Sequence, residues 1–201
     1  MPRMGTDGPC DCAGLHAGIH AKTLLGRKVQ GGKAAPLFAA MRASANEADA
    51  LSRASRARCS PVADCLAECA RALREAVATA EEVTAGLTAP GIDKSSALIN
   101  AHDYLTLMGH TAIAWVWLRS AAAATRGLRR LGPEAEAEAA ASLGGGSEEA
   151  AEPMDDELSF YLGKLHTCAF FFRHELPKTA PLAQLLRAGD RTVREMRVAW
   201  F

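Results

Sequence analysis

The chain has 201 residues, and its 23 Lys and Arg balance its 23 Asp and Glu, so the formal charge at pH 7 is zero. Neutrality argues against chain-wide electrostatic binding to nucleic acid or to an anionic membrane. Hydrophobic residues make up 49% of the sequence but aromatic residues only 5%, and Ala occupies 42 positions against 11 for Val and Ile together. Because Ala favours helices and β-branched residues favour sheets, this composition predicts one all-α domain.

The start of the chain predicts little regular structure. Residues 1–14 are rich in Gly, Pro and Cys without periodicity, and we predict that they are disordered. Apolar side chains then recur at helical spacing over residues 15–29, which predicts a short helix that ends at Gly31 and Gly32. The same spacing between residues 36 and 58, with no internal Gly or Pro, predicts a second helix.

Two longer helices follow. Ser60 and Pro61 are typical of an N-cap and a first helical position, so a helix is predicted from residue 61 to about residue 86. Its apolar seam would need a partner helix. A third helix is predicted to begin at residue 93 or 95 and to end near residue 131.

Gly109 lies inside this third helix, where Gly costs about 1 kcal/mol relative to Ala. Two explanations stay open at this point. Either a neighbouring helix approaches closely at Gly109, or the glycine is simply tolerated.

The charge is unevenly distributed along the chain. Residues 132–157 contain no Lys or Arg and nine acidic residues, and they include three consecutive glycines. Such composition is typical of a solvated connection, so we predict an acidic flexible linker over residues 132–155.

The C-terminal part predicts a fourth main helix over residues 155–175, ended by Leu176 and Pro177, and a short helix over residues 181–187 before Gly189. Residues 191–201 would form a basic tail. Residues 33–190 together predict an antiparallel helical bundle of about four main helices.

The compartment is predicted from two features that the sequence lacks, a signal peptide and a membrane span. The N-terminus has no apolar signal core, which favours reduced thiols over disulfides for the six cysteines. The most apolar stretch, residues 111–124, is too short to span a bilayer and contains Arg119. We therefore predict no membrane span and a cytoplasmic protein, with the mitochondrion left open if the source is a eukaryote.

Two sets of residues could in principle bind a metal. The first set would form a zinc site near the N-terminus, although its spacing is cramped: Cys10, Cys12, His16 and His20. The second set comes from the third and fourth helices, which lack the Glu-x-x-His motif of di-iron bundles: His102, His110, His166 and His174. We favour incidental residues for the first set and histidines at the surface or core edge for the second.

Other chemistry is also not indicated. Cys65 and Cys69 lie one helical turn apart on an apolar seam, and we interpret them as small buried hydrophobes. No phosphate-binding glycine loop or nucleophile motif occurs. The prediction is therefore that this chain contributes no catalytic, cofactor-binding or metal-binding residue.

Two segments, HDYLTLMGHTAIAWVWLRSAAAA and FYLGKLHTCAFFFRHELPKTAPLAQLLRAG, resemble the C-terminal helical domain of a branch of the acyl-CoA dehydrogenases. This domain is the acetyl-CoA dehydrogenase-like C-terminal domain. The matching features are Tyr104-Leu105, Gly109, Trp115, the run from Lys164-Leu165 through Phe171-Phe172 to Leu176-Pro177, and Gly189. Residues 15–32 are similar to the last helix of the catalytic domain in the same branch, and would be its remnant.

The resemblance implies a connection to flavin chemistry. Family members bind FAD and remove two hydrogens from the α and β carbons of an acyl-CoA, including 3-methylmercaptopropionyl-CoA and longer-chain substrates. Their glutamate base precedes the glycine that corresponds to Gly18. Ala13, Gly14 and Leu15 stand here where the family has its Tyr, Glu and Gly, and His20 replaces a Gln. The base and the flavin-binding domains are thus missing from this sequence.

The leading hypothesis is therefore a truncated or split domain that binds no cofactor alone. Its expected partner is the catalytic domains of an acyl-CoA dehydrogenase or a like subunit, with a homo-oligomer left open. The alternatives are a stand-alone interaction or oligomerisation module that uses the seams of the second and third helices, and a subunit that completes an enzyme with a separately encoded catalytic chain.

Overall fold

The computed structural model describes residues 29, 32–56, 60–92, 98–145 and 155–200. Three long helices come first: α1 spans Ala34–Arg56, α2 spans Pro61–Leu87 and α3 spans Ala101–Leu131. Helix α4 spans Pro133–Leu143, and α5 spans Asp156–Phe170. The chain continues through a π-helical turn, Phe171–Glu175, a 3-10 turn, Leu176–Lys178, and the short helices α6, Thr179–Ala188, and α7, Thr192–Glu195. A last 3-10 turn spans Val198–Trp200.

Helices α1, α2, α3 and α5 pack as an antiparallel bundle. The start of α1 faces the end of α2, where Arg42 pairs with Glu81. The end of α2 faces the start of α3, where the hydroxyls of Thr84 and Tyr104 lie 2.7 Å apart. Helix α5 runs back along α3. The predicted all-α bundle is confirmed.

The core follows the three- and four-residue spacing of the apolar side chains. The seam of α2 is buried inside the bundle at Val62, Leu66, Cys69, Leu73, Val77, Ala80 and Val83. Its partners include Tyr104, Leu107 and Leu118 on α3 and Leu165 and Cys168 on α5. Because side chains of α3 and α5 cover the apolar seam of α2, the seam is not available to bind a second protein.

The prediction of a flexible linker over residues 132–155 is wrong for residues 133–143, which form helix α4. Pro133 occupies the first turn, and Ala135 and Ala139, spaced by four, are buried. Helix α4 packs on α2, α3 and α5. Glu134 and Glu138 are exposed on the solvent side of α4, whereas Glu136 is partly buried and faces Arg129. Residues 146–154 lie outside the described residues.

The glycine that accommodates a neighbouring helix is Gly127 rather than Gly109. A Cβ atom at Gly109 would have no neighbour within 4 Å. A Cβ atom at Gly127 would lie 2.3 Å from Cζ of Tyr161 on α5. Among the described residues, no helix approaches Gly109 closely, so the first explanation finds no support there.

Helix boundaries otherwise lie near the predicted ones. Pro61 begins α2 as predicted, although the hydroxyl of Ser60 makes no capping bond. Gly189 ends α6 in the left-handed conformation, with φ of 61°. The predicted start of the third helix, at residues 93–95, and the predicted segments 1–14 and 15–28 lie outside the described residues.

None of the helices in the described ranges combines the length and the apolar character that a bilayer crossing requires.

Candidate functional site

Apart from Gly109, the residues that carry the family resemblance lie at or next to helix contacts. Tyr104 is fully buried, and its hydroxyl pairs with Thr84. The Thr84 hydroxyl itself donates to the carbonyl of Ala80, 2.6 Å away, so Tyr104 donates to Thr84. Burial raises the pKa of Tyr104, which keeps the phenol protonated. This bond joins α2 to α3 inside the core.

Two further matched residues join helices at the surface. The indole Nε1 of Trp115 donates to Oγ of Ser44, 2.8 Å away, which links α3 to α1. Nζ of Lys164 on α5 lies 4.9 Å from the centroid of the Phe160 ring and 5.7 Å from that of Trp117. Such cation–π contacts contribute about 0.5–1 kcal/mol at exposed sites. Trp115 and Lys164 therefore help to position α3 between its neighbours.

The end of α5 is shaped by the remaining matched residues. Phe172 and Leu176 are buried, and the π-helical turn between them widens the helix before Pro177. Nζ of Lys178 donates to the Glu175 carboxylate at 2.7 Å, and this bond lowers the pKa of Glu175. The matched run is therefore a packing and turning element that directs α6 back onto α2 and α3.

Three thiols meet between α2 and α5. Cys69 and Cys168 are buried, and Cys65 is half-buried. The Cys69 thiol and burial raise the pKa of Cys65, and the Cys168 thiol and burial raise the pKa of Cys69. The predicted role of a small buried hydrophobe is confirmed for Cys69, whereas Cys65 is only partly buried against the core. The helical pattern could not reveal that Cys168 joins them.

Cys65 and Cys69, whose pKa is raised, and Cys168, which is buried, should all react slowly with electrophiles. In a C10S/C12S/C59S variant at pH 8, Ellman's reagent should label none of the three at the rate of a free cysteine, because a thiolate is the reacting species. Three thiols per chain should appear after guanidinium unfolding. One rapidly labelled thiol in the folded variant would contradict the buried, hydrogen-bonded arrangement.

The four histidines of the second predicted set do not converge on a common site. Nε2 of His110 lies 4.0 Å from the Glu175 carboxylate, and Nε2 of His166 lies 2.8 Å from Oγ of Ser142 on α4. The ring of His174 stacks on Phe170, and His102 is exposed. In the part of the chain that the structure describes, no three His, Cys, Asp or Glu side chains are grouped to hold a metal. The predicted set Cys10, Cys12, His16 and His20 lies outside that part.

A cleft of about 730 Å³ lies between α4, the ends of α1 and α3 and the start of α2. Its lining is mainly apolar, with alanines from α1 and α4. The guanidinium of Arg129 donates to the carbonyl of Leu51 at 3.1 Å and lies 3.7 Å from the Glu136 carboxylate. The hydroxyl of Thr125 donates to its own helix. These contacts hold α4 in place.

Residues 37–197 match the sequence model of the family described as acetyl-CoA dehydrogenase C-terminal like. The match covers α1 through α7 and more than three quarters of the chain. This chain belongs to the acetyl-CoA dehydrogenase C-terminal-like family. No curated protein and no solved structure matches it.

The match places the whole bundle within this C-terminal-like domain. The predicted resemblance is confirmed, and the family match extends beyond residue 190 into the predicted tail. The matched residues bond and pack helices rather than converge on a cavity: Tyr104, Trp115, Lys164, Phe172, Leu176 and Gly189. In this chain, these residues therefore help to build the bundle.

Proposed function

We propose that this chain is a structural helical domain of an FAD-dependent acyl-CoA dehydrogenase and supplies none of the catalytic groups itself. The observation that carries the proposal is the family match over residues 37–197. The reaction served would be α,β-dehydrogenation of an acyl-CoA, of the fatty-acid or methylmercaptopropionyl-CoA type. The domain would pack against the catalytic body and stabilise its association or its acyl-CoA entrance.

The interior of the bundle supports a structural role. Each buried side-chain nitrogen or oxygen among the described residues has a hydrogen-bond partner within the chain. A general base must reach the proton that it removes, and the cleft beside α4 offers only Glu136, which faces Arg129. On this proposal, FAD and the base would come from the catalytic partner.

Complex formation tests this proposal. The partner would be an acyl-CoA dehydrogenase from the same genome, expressed without its own C-terminal helical domain. Size-exclusion chromatography should show flavin absorbance at 450 nm moving to the mass of a complex when the purified chain is added. An unrelated flavoprotein serves as the control. If the chain binds none of these dehydrogenase catalytic bodies, the proposal is contradicted.

A further inference from the structure

The three thiols between α2 and α5 are ordered from the surface to the interior. Cys65 is half-buried, whereas Cys69 is 3% exposed and Cys168 is 1% exposed. The Cys69 thiol interacts directly with both other thiols. Cys69 is therefore the central sulfur of this thiol cluster, with Cys65 at its solvent end and Cys168 on the opposite helix.

Of the two neighbouring pairs of thiols, the pair on separate helices is better placed to form a disulfide. Cys65 and Cys69 lie one turn apart on α2, where Cβ atoms are about 5–6 Å apart. A disulfide requires about 3.5–4.5 Å between its Cβ atoms, so a bond between these two would strain the helix. Cys168 lies on α5, and facing side chains of packed helices can approach to that distance. The less strained disulfide therefore joins Cys69 to Cys168.

An oxidant would enter the thiol cluster at Cys65, which is its most exposed member. The guanidinium of Arg173 lies close enough to favour the Cys65 thiolate, and Glu68, 3.8 Å from Arg173, offsets part of this effect. Burial and the Cys69 thiol still keep Cys65 protonated at neutral pH. Because a thiolate is the reacting species, oxidation of the folded chain should be slow, over hours rather than seconds.

We propose that this thiol cluster is an oxidative modification site, at which a small disulfide converts Cys69 and Cys168 into a disulfide that joins α2 to α5. The Cys65 thiolate attacks the small disulfide and releases one small thiol. Cys69 then attacks the Cys65 sulfur and releases the second small thiol.

The last step transfers the disulfide between the helices. Cys168 attacks the Cys69 sulfur, Cys65 leaves, and the proton that Cys168 gives up returns to Cys65. The strain of the bond within α2 favours this step. Overall, two protein thiols are oxidised to one disulfide, and one small disulfide is reduced to two small thiols.

The new bond would close a loop of about 100 residues that contains all of α3 and α4. Cross-links that close long loops restrict the unfolded chain most, so the oxidised protein should resist unfolding and α5 should stay fixed on α2. The inference rests on the thiol cluster alone, and it holds whether or not the domain serves a dehydrogenase.

Peptide mapping of the full-length C10S/C12S/C59S variant, which keeps only these three thiols, tests the proposal. The folded protein is incubated with glutathione disulfide at pH 8, and its remaining thiols are then blocked with iodoacetamide in guanidinium. Trypsin should release peptide 59–71 joined by a disulfide to peptide 165–173. The melting temperature should rise by about 5 °C or more. Adding C168S should abolish both the joined peptide and the rise.

Two more substitutions in the same background separate the roles of the thiols. With C65S the same joined peptide should form about tenfold more slowly, because the entry thiol is gone. With C69S it should not form, because the central sulfur is missing. Circular dichroism should show all these variants equally helical before oxidation.

Three results would overturn the proposal. The first is a folded chain that gives no joined peptide after a day, although the same chain does so once unfolded in guanidinium. The second is a final product in which Cys65 is bonded to Cys69. The third is a C65S variant that oxidises as fast as its parent, because Cys65 would then not be the point of entry.

Discussion

Ala139→Glu should lower the free energy of unfolding by about 2 kcal/mol or more, because it forces a carboxylate into a packed, apolar contact. Ala139 is fully buried where α4 packs on the bundle. A charge there can be accommodated only if α4 leaves its position, which exposes Ala135 and breaks the hydrogen bond between Ser142 and His166. Urea unfolding followed by circular dichroism measures the loss.

Ala137→Glu is the matched control on the same helix. Ala137 is exposed, so the same added charge should change the free energy of unfolding by no more than about 0.5 kcal/mol. If both variants leave the free energy of unfolding nearly unchanged, residues 133–143 behave as the flexible linker that composition alone suggests.

Gly127→Ala should lower the free energy of unfolding by about 1–3 kcal/mol, despite the better helix propensity of Ala. The added methyl carbon would lie 2.3 Å from the ring of Tyr161. Moving that ring would disturb the 2.6 Å hydrogen bond that Tyr161 donates to Glu157 and its 3.3 Å contact with Arg130. Thermal and urea unfolding of the purified variant report the change.

Gly163→Ala provides the comparison for this substitution. A Cβ atom at Gly163 on α5 would have no neighbour within 4 Å, so Ala should be neutral or stabilising by up to about 1 kcal/mol. In a Y161A background the ring is gone, so G127A should lower the free energy of unfolding much less than it does in the wild type. A destabilisation by G127A that is unchanged in the Y161A background would show that the close contact between α3 and α5 is not its cause.

The main helices could be predicted from the sequence because their apolar side chains repeat every three or four residues. Helix α4 was not predicted because the acidic composition of this segment is typical of a linker. Only Ala135 and Ala139, spaced by four, indicated a buried helix face. The signals that could have found it are Pro133 in the first turn, followed by Glu134 and Glu136, and the high helix propensity of the alanines and glutamates.

Contacts between helices were predicted less well, since periodicity identifies a buried face without its partner. Gly109 and Gly127 both lie inside α3, and only the packing of α5 distinguishes the one that meets Tyr161. Likewise, Cys168 is about a hundred residues from Cys65 and Cys69, and no local spacing brings it to them. The family resemblance identified the domain. The roles of Tyr104 and Trp115 could be assigned only from the structure, which shows their hydrogen bonds to Thr84 and Ser44.

The assignment to a structural domain of an acyl-CoA dehydrogenase is tested most directly by one electron-acceptor assay. The assay compares the purified chain, a catalytic body lacking its C-terminal helical domain, and the two together, each with FAD and a panel of acyl-CoAs. The chain alone should bind no flavin and reduce no acceptor, and its addition should raise the activity or the thermal half-life of the catalytic body. Stoichiometric flavin and turnover by the chain alone, or no effect on any catalytic body, would contradict the assignment.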